Sequence, residues 1–160
     1  MNASNIVVFR SGSEMYGVLI ENIVSIEKSE KTTDEYDLPV YVKGFVNSGA
    51  EEVPVIDFQT VLYPNKETTD ETARCIVVKA DLIQLAFFVS EVIGIKEVGS
   101  GQLQQVKFVT NTSKSIFSAI AMIENQLIPI VDPVKFIHYA KDFATILSFM
   151  KEKQSVIECK

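Results

Sequence analysis

Apolar residues along this chain fall into short runs of about five to eight, rich in β-branched and aromatic side chains and closed by clusters of Gly, Pro, Ser and Asp. That is the pattern of an all-β protein. Ile6-Val7-Val8-Phe9 leads through Arg10-Ser11-Gly12-Ser13 to Tyr16-Gly17-Val18-Leu19-Ile20, which reads as a hairpin around a glycine-bearing turn. Further strands are expected over 40–46, 53–56, 75–78, 82–89, 93–98, 106–109, 116–123 and 127–131. Two polar stretches, 27–37 and 65–72, are rich in Lys, Glu, Thr and Asp and read as solvated loops.

The pattern changes at Asp132-Pro133, a helix cap followed by proline at the first helical position. Ile137, Ala140, Phe143 or Ala144, Leu147 and Met150 then recur at three- and four-residue spacing, while Lys135, His138, Asp142 and Thr145 fall on another side. One long helix over 133–153 is predicted, with its stripe packed on the β structure.

The chain also repeats itself. Residues 18–26 share an apolar pattern with residues 87–95, and Val53-Pro54-Val55-Ile56-Asp57 echoes Ile128-Pro129-Ile130-Val131-Asp132. One domain over 1–160 is expected, made of two β subdomains near 1–64 and 73–132 that are free to interweave, each too small to be comfortable alone. The proline in each repeated strand demands an edge or a bulge, since it cannot donate to a ladder.

Composition narrows the function. The chain has 160 residues, 47% apolar and 22% charged, which suits a globular fold without disulfides. A net charge of -6 with no segregated basic patch argues against nucleic acid. The first residues lack the basic start and apolar core of a secretion signal, and no apolar run approaches the ~20 residues of a membrane span, so a cytoplasmic protein without direct membrane insertion is expected. His138, Cys75 and Cys159 are too few and too scattered for a metal site, and neither a nucleophile elbow nor a phosphate-binding glycine loop occurs. Asp57 and Asp132 are the one carboxylate pair that could serve a hydrolase. Their repetition at the same place in both halves reads more simply as two strand-end caps, and no enzyme is expected.

Four segments in order, VVFRSGSEMYGVLIENIVSI, LPVYVKGFVNSGAEEVPVIDF, CIVVKADLIQLAFFVSEVIGI and IAMIENQLIPIVDPVKFI, resemble the CheW-like domain of bacterial chemotaxis, from about Ile6 to Ile137. The resemblance implies two intertwined, five-stranded SH3-like barrels around a shared core, with a C-terminal helix. It implies a non-catalytic adaptor that needs no cofactor and joins the regulatory domain of a CheA-type histidine kinase to the cytoplasmic tip of methyl-accepting chemoreceptors. A diverged paralogue that competes with or binds another signalling partner outside chemotaxis is the alternative.

The departures from the family pattern are specific. Where the family carries Asn-Leu-Arg-Gly this chain has Asn47-Ser48-Gly49-Ala50, so Ser48 and Gly49 replace leucine and arginine. Ser25 stands where the family commonly has glutamate, and Ser90 where it has aspartate. Losing the arginine removes a planar group with five donors, and a carboxylate left buried without it costs a few kcal/mol, roughly a hundredfold in affinity. The partner-binding residues expected on this basis are the apolar Ile23, Ile26, Val46, Val89 and Val92 together with Ser25, Asn47, Ser48, Gly49 and Ser90.

Overall fold

A computed structural model describes residues 3–28, 38–49, 51–105, 116–140 and 142–148. In chain order its elements are β1 (Ala3–Ser11), β2 (Glu14–Leu19), β3 (Ile23–Glu27), β4 (Val42–Ser48), β5 (Glu51–Asp57), α1 (Phe58–Leu62), β6 (Arg74–Ala80), β7 (Ile83–Val89), β8 (Glu91–Gly99), β9 (Leu103–Gln105), β10 (Phe117–Ile123), β11 (Gln126–Val131) and α2 (Pro133–Tyr139). The expected strand at 106–109 lies outside the described residues.

The strands form two sheets, and each draws on both halves of the chain. One has the order β8-β1-β2-β11-β10-β9, the other β3-β6-β7-β5-β4. The hairpins β1–β2 and β6–β7 are thus exchanged: each sits among strands from the opposite half of the sequence. Alternating side chains show why these hairpins read as unbroken apolar runs rather than as polar-apolar alternation. On β1, Ile6 and Val8 fill the interior of the first sheet with Ala121, Ile128 and Ile130. Val7 and Phe9 point the other way, into a larger core shared with Ile76, Val78, Leu85 and Phe87 of the second sheet. On β6, Cys75 and Val77 fill the second sheet's own interior with Val53, Val55 and Ala86.

Phe58 ties the shared core together. Its ring lies 5.2 Å from Phe9, 5.0 Å from Tyr16, 5.5 Å from Phe87 and 5.5 Å from Phe136, so one side chain touches both sheets and α2. Aromatic rings at such spacing add to their area burial when they meet edge to face or offset.

The sequence repeat is a structural repeat down to its irregularities. A bulge displaces Lys43 between Val42 and Gly44, and another displaces Ser118 between Phe117 and Ala119. Asp57 N–H donates to Tyr41 O at 2.7 Å, as Asp132 N–H donates to Ile116 O at 2.8 Å. Pro54 and Pro129 sit in central strands, each paired with an antiparallel neighbour on one side. On the other side the parallel contact with β7 begins at Val55, and that with β2 is made at Ile130, so each proline lies just outside it and no ladder bond is missed.

The C-terminal segment differs from the single helix expected. The chain leaves α2 at Ala140, Asp142 lies in the left-handed region at φ 62° as part of a turn, and the chain is helical again over 143–148; residues 149–153 lie outside the described residues. The turn has a packing reason. It brings Phe143 and Ile146 onto the shared core beside Phe136 and Ala140, whereas Ala144 is exposed.

Two buried phenols report on this core. Burial, and then the Asp142 carboxylate, push the Tyr41 hydroxyl up to about 12. Burial, and then Glu14, raise Tyr16 as well. An unfolded tyrosine loses its proton near pH 10, so from there to about 12 the unfolded state holds fewer protons than the folded state and stability falls as pH rises. Urea midpoints should be flat in pH up to about 9 and decline between about 10 and 12. The decline should be shallower in Tyr41→Phe; an unchanged slope in that variant contradicts the assignment.

Candidate functional site

The candidate residues fall on three strand edges. Ile23, Ser25 and Ile26 lie on β3, one edge of the five-stranded sheet, and Val46, Asn47 and Ser48 end β4, the other edge in its hydrogen-bonded order. Val92 lies on β8, the edge of the six-stranded sheet. Asn47 and Gly49 are exposed and Ser48 is half-buried, so the β4–β5 turn is a surface feature. Gly49 has φ 64° with open space around it, a backbone state that glycine enters freely and L-residues enter at a cost.

The turn is acidic. Asn47 pairs with Glu52 and Ser48 with Glu51 across the hairpin. Glu51 is exposed, and its Oε1 accepts from Gln84 Nε2 at 3.4 Å. With glycine in the arginine position, the turn carries carboxylates and no cation of its own.

The two edge strands match each other. In β3 a bulge displaces Val24 between Ile23 and Ser25, and in β8 a bulge displaces Ile93 between Val92 and Gly94. Ile23 and Val92 are half-buried against the shared core, whereas Ile26 is 44% exposed and Ile95, its counterpart, 63%. Ser25 Oγ is buried with no hydrogen-bond partner among the described residues. Val24, Ile93 and Ile95 were absent from the sequence-based set. Only the repeat itself could have flagged them, since residues 18–26 and 87–95 carry the same pattern.

Two candidates are corrected. Val89 is wholly buried in the shared core at the end of β7, where its alternation with Leu85 and Phe87 turns it inward, so it offers a partner nothing. Ser90 is also wholly buried and joins three segments: its N–H donates to Arg10 O at 2.9 Å, its Oγ accepts from Gly12 N–H at 2.9 Å, and its carbonyl accepts from Thr72 Oγ1 at 2.7 Å. A serine suits this place because its hydroxyl accepts a backbone donor without bringing a charge into the interior.

Residues 65–72, expected to be a solvated loop, are tied down by polar contacts. Arg10 Nη2 meets Asp70 Oδ2 at 3.2 Å and Arg10 Nε meets Glu91 Oε1 at 3.3 Å. Thr68 is buried, and its N–H and Oγ1 donate to the Asp57 carboxylate at 2.9 and 2.8 Å. Asp57, wholly buried, also accepts from the N–H groups of Gln59 and Thr60 at the start of α1, and Lys43 Nζ lies 3.7 Å away. Lys43 is bonded in turn to Glu67. Asp132 caps α2 in the same manner, accepting from Val134 and Lys135 N–H at 2.9 and 3.3 Å. Both aspartates are caps, as their repetition implies, and α1, missed from the sequence, is the short helix that the Asp57 cap starts.

Comparison with known proteins agrees with this architecture. A family model described as the CheW-like domain matches residues 5–141. The chain is 28% identical over 128 residues to the chemotaxis protein CheW of Bacillus subtilis, spanning 79% of this chain and 81% of that protein. Its fold matches the crystal structure of the scaffolding protein TtCheW from Thermoanaerobacter tengcongensis with a TM-score of 0.72 at 23% identity, covering 81% of this chain and 89% of the other.

The two caps are unequal in what they hold. Asp57→Asn places an amide among donors that all require an acceptor and should cost about 2–3 kcal/mol. Asp132→Asn should cost less than about 1 kcal/mol, because asparagine caps a helix nearly as well. Urea unfolding of the two variants measures the difference, and equal losses contradict it.

Proposed function

This chain belongs to the CheW-like domain family, and we propose that it is a non-catalytic adaptor that binds the regulatory domain of a CheA-type kinase and the cytoplasmic tip of a chemoreceptor at once. Adaptor function in chemotaxis follows from the family. The particular contacts are our reading of the edges: β3 and β8 present matched apolar residues on strands that pair on one side only among the described residues, which is the surface that strand-edge recognition uses. Rigid attachment of both edges to one shared core lets contact at one bear on contact at the other.

The observation that carries the specificity is the β4–β5 turn. A partner that meets an arginine there in the ordinary complex offers a carboxylate; against Glu51 and Glu52 such a partner is repelled, and a basic side chain is favoured. The adaptor is therefore matched to a kinase or receptor altered at the facing position. Catalysis has no support from the aspartate pair: Asp57 is wholly buried with its oxygens engaged, and Asp132 caps α2.

Co-purification of the chain with the CheA regulatory domain and receptor tip from the same cell should retain both, and the ternary mixture should raise kinase activity. Glu51→Lys should weaken one of the two contacts by about tenfold, the size of a single exposed-to-partly-buried charge interaction, with a weaker effect at high salt. Retention of neither partner, or inhibition of the kinase, overturns the adaptor reading.

A further inference from the structure

Each half of this molecule is a template for the other, and beside the two aspartate caps they differ. Strand register makes Gly17 and Ala86 counterparts, since they meet Ile130 and Val55 in the two parallel contacts. Val8 pairs with Gly17 and Val77 with Ala86, so Lys79 on β6 is the counterpart of Arg10 on β1. Asp132 is the counterpart of Asp57, and Ser118 of Lys43, through the matched bulges and caps.

In the first half the chain supplies its own plug. Thr68 gives Asp57 an N–H and a hydroxyl, and two residues later Asp70 reaches Arg10. In the second half the chain leaves α2 at Ala140 and packs Phe143 and Ile146 on the shared core instead. A cavity of about 410 Å³ lies beside Asp132, lined among others by Leu19, Asn22, Lys79, Asp81, Ser118 and Asp132. That volume falls within the ~300–1,000 Å³ of ordinary ligand sites. Only Oδ1 of Asp132 is engaged by described residues, in the α2 cap, and Lys79 makes no ion pair among them. Ser118 in place of Lys43 leaves the Asp132 carboxylate without the ammonium group that lies near Asp57.

We propose that this cavity binds an extended segment of a partner polypeptide that carries Ser or Thr and, two residues later, Asp or Glu. The hydroxyl and backbone N–H of the first residue donate to the free side of Asp132, and the acidic residue pairs with Lys79. The chain's own plug decides the occupant: Thr68 and Asp70 meet Asp57 and Arg10 in the first half. In the second half Asp132 keeps an oxygen for neutral donors, and Lys79, which shares the lining with Asp81, stands where Arg10 receives a carboxylate. The spacing is that of the chain's own Thr68-Thr69-Asp70. The site stands apart from the β4–β5 turn, and its test uses neither kinase nor receptor.

The probe is a blocked synthetic peptide with the sequence of residues 66–72, Lys-Glu-Thr-Thr-Asp-Glu-Thr, titrated into the full-length isotope-labelled protein by NMR. Saturable shifts should centre on Leu19, Leu103, Ser118 and Val134. Lys79→Glu should weaken the peptide by about tenfold or more and restore binding to a peptide with lysine in place of its aspartate, an exchange that a merely structural lysine would not produce. Asp132→Asn, which keeps the α2 cap, should weaken binding severalfold. Absence of saturable shifts, shifts centred on Arg10 and Asp57, or binding indifferent to both variants overturns the proposal.

Discussion

Two hairpins in this protein are buried on both faces, and the rest of the structure depends on that. The first, β1–β2, gives one face to the interior of its own sheet and the other to the core between sheets, and β6–β7 does the same from the opposite side. The face toward its own sheet could not be satisfied within the hairpin's own half of the chain, because each hairpin lies among strands of the other half. Two units that would be marginal alone thereby become one body with a common core, and Phe58 at its centre touches both sheets and α2. The same exchange leaves β3 and β8 at the edges, attached to the buried hairpins by backbone pairing yet exposing Ile26 and Ile95.

Duplication sets the two halves equal, and function lies where they have diverged. At the hairpin tips, Asn47 faces Glu52 in one half, whereas Met122 faces Leu127 in the other. The first pair is polar and acidic and the second apolar, and the second turn carries Glu124, paired with Lys96, where the first has Gly49, so the two tips present different surfaces. At the caps, Asp57 is closed over by Thr68 while Asp132 borders a cavity. An adaptor has to hold different partners at once, and divergence on a rigid duplicated frame provides different surfaces without a second fold.

Much of this was legible in the chain. Strand runs, the repeat and the Asp132-Pro133 cap are local patterns, and local physics governs them: alternation, β-branching, and a carboxylate that accepts from a helix's first N–H groups. The exchange of hairpins was not legible, because a run such as Cys75-Ile76-Val77-Val78 says that both faces are buried and not which strands bury them. Val89 and Ser90 were misplaced for the same reason. A valine that ends an apolar strand and the serine after it look like a rim, yet the shared core encloses Val89, and the turn after β1 and Thr72 enclose Ser90. The loop at 65–72 looked solvated because its composition is polar, yet Thr68, Asp70 and Thr72 each meet a buried or half-buried group that needed a partner. Turn residues such as Asn47 and Gly49 were legible as surface because a polar β-turn is seldom buried.

If the exchanged hairpins make the two sheets one body, neither can open while the other remains folded. Native-state hydrogen exchange at increasing urea tests this directly, residue by residue. The most protected amides of β1, β2 and β11 in one sheet and of β5, β6 and β7 in the other should converge on one opening free energy with one urea dependence. Should the amides of one sheet exchange through an opening of distinctly lower free energy while the other sheet stays protected, the two barrels are separable and the shared core does not hold the molecule together.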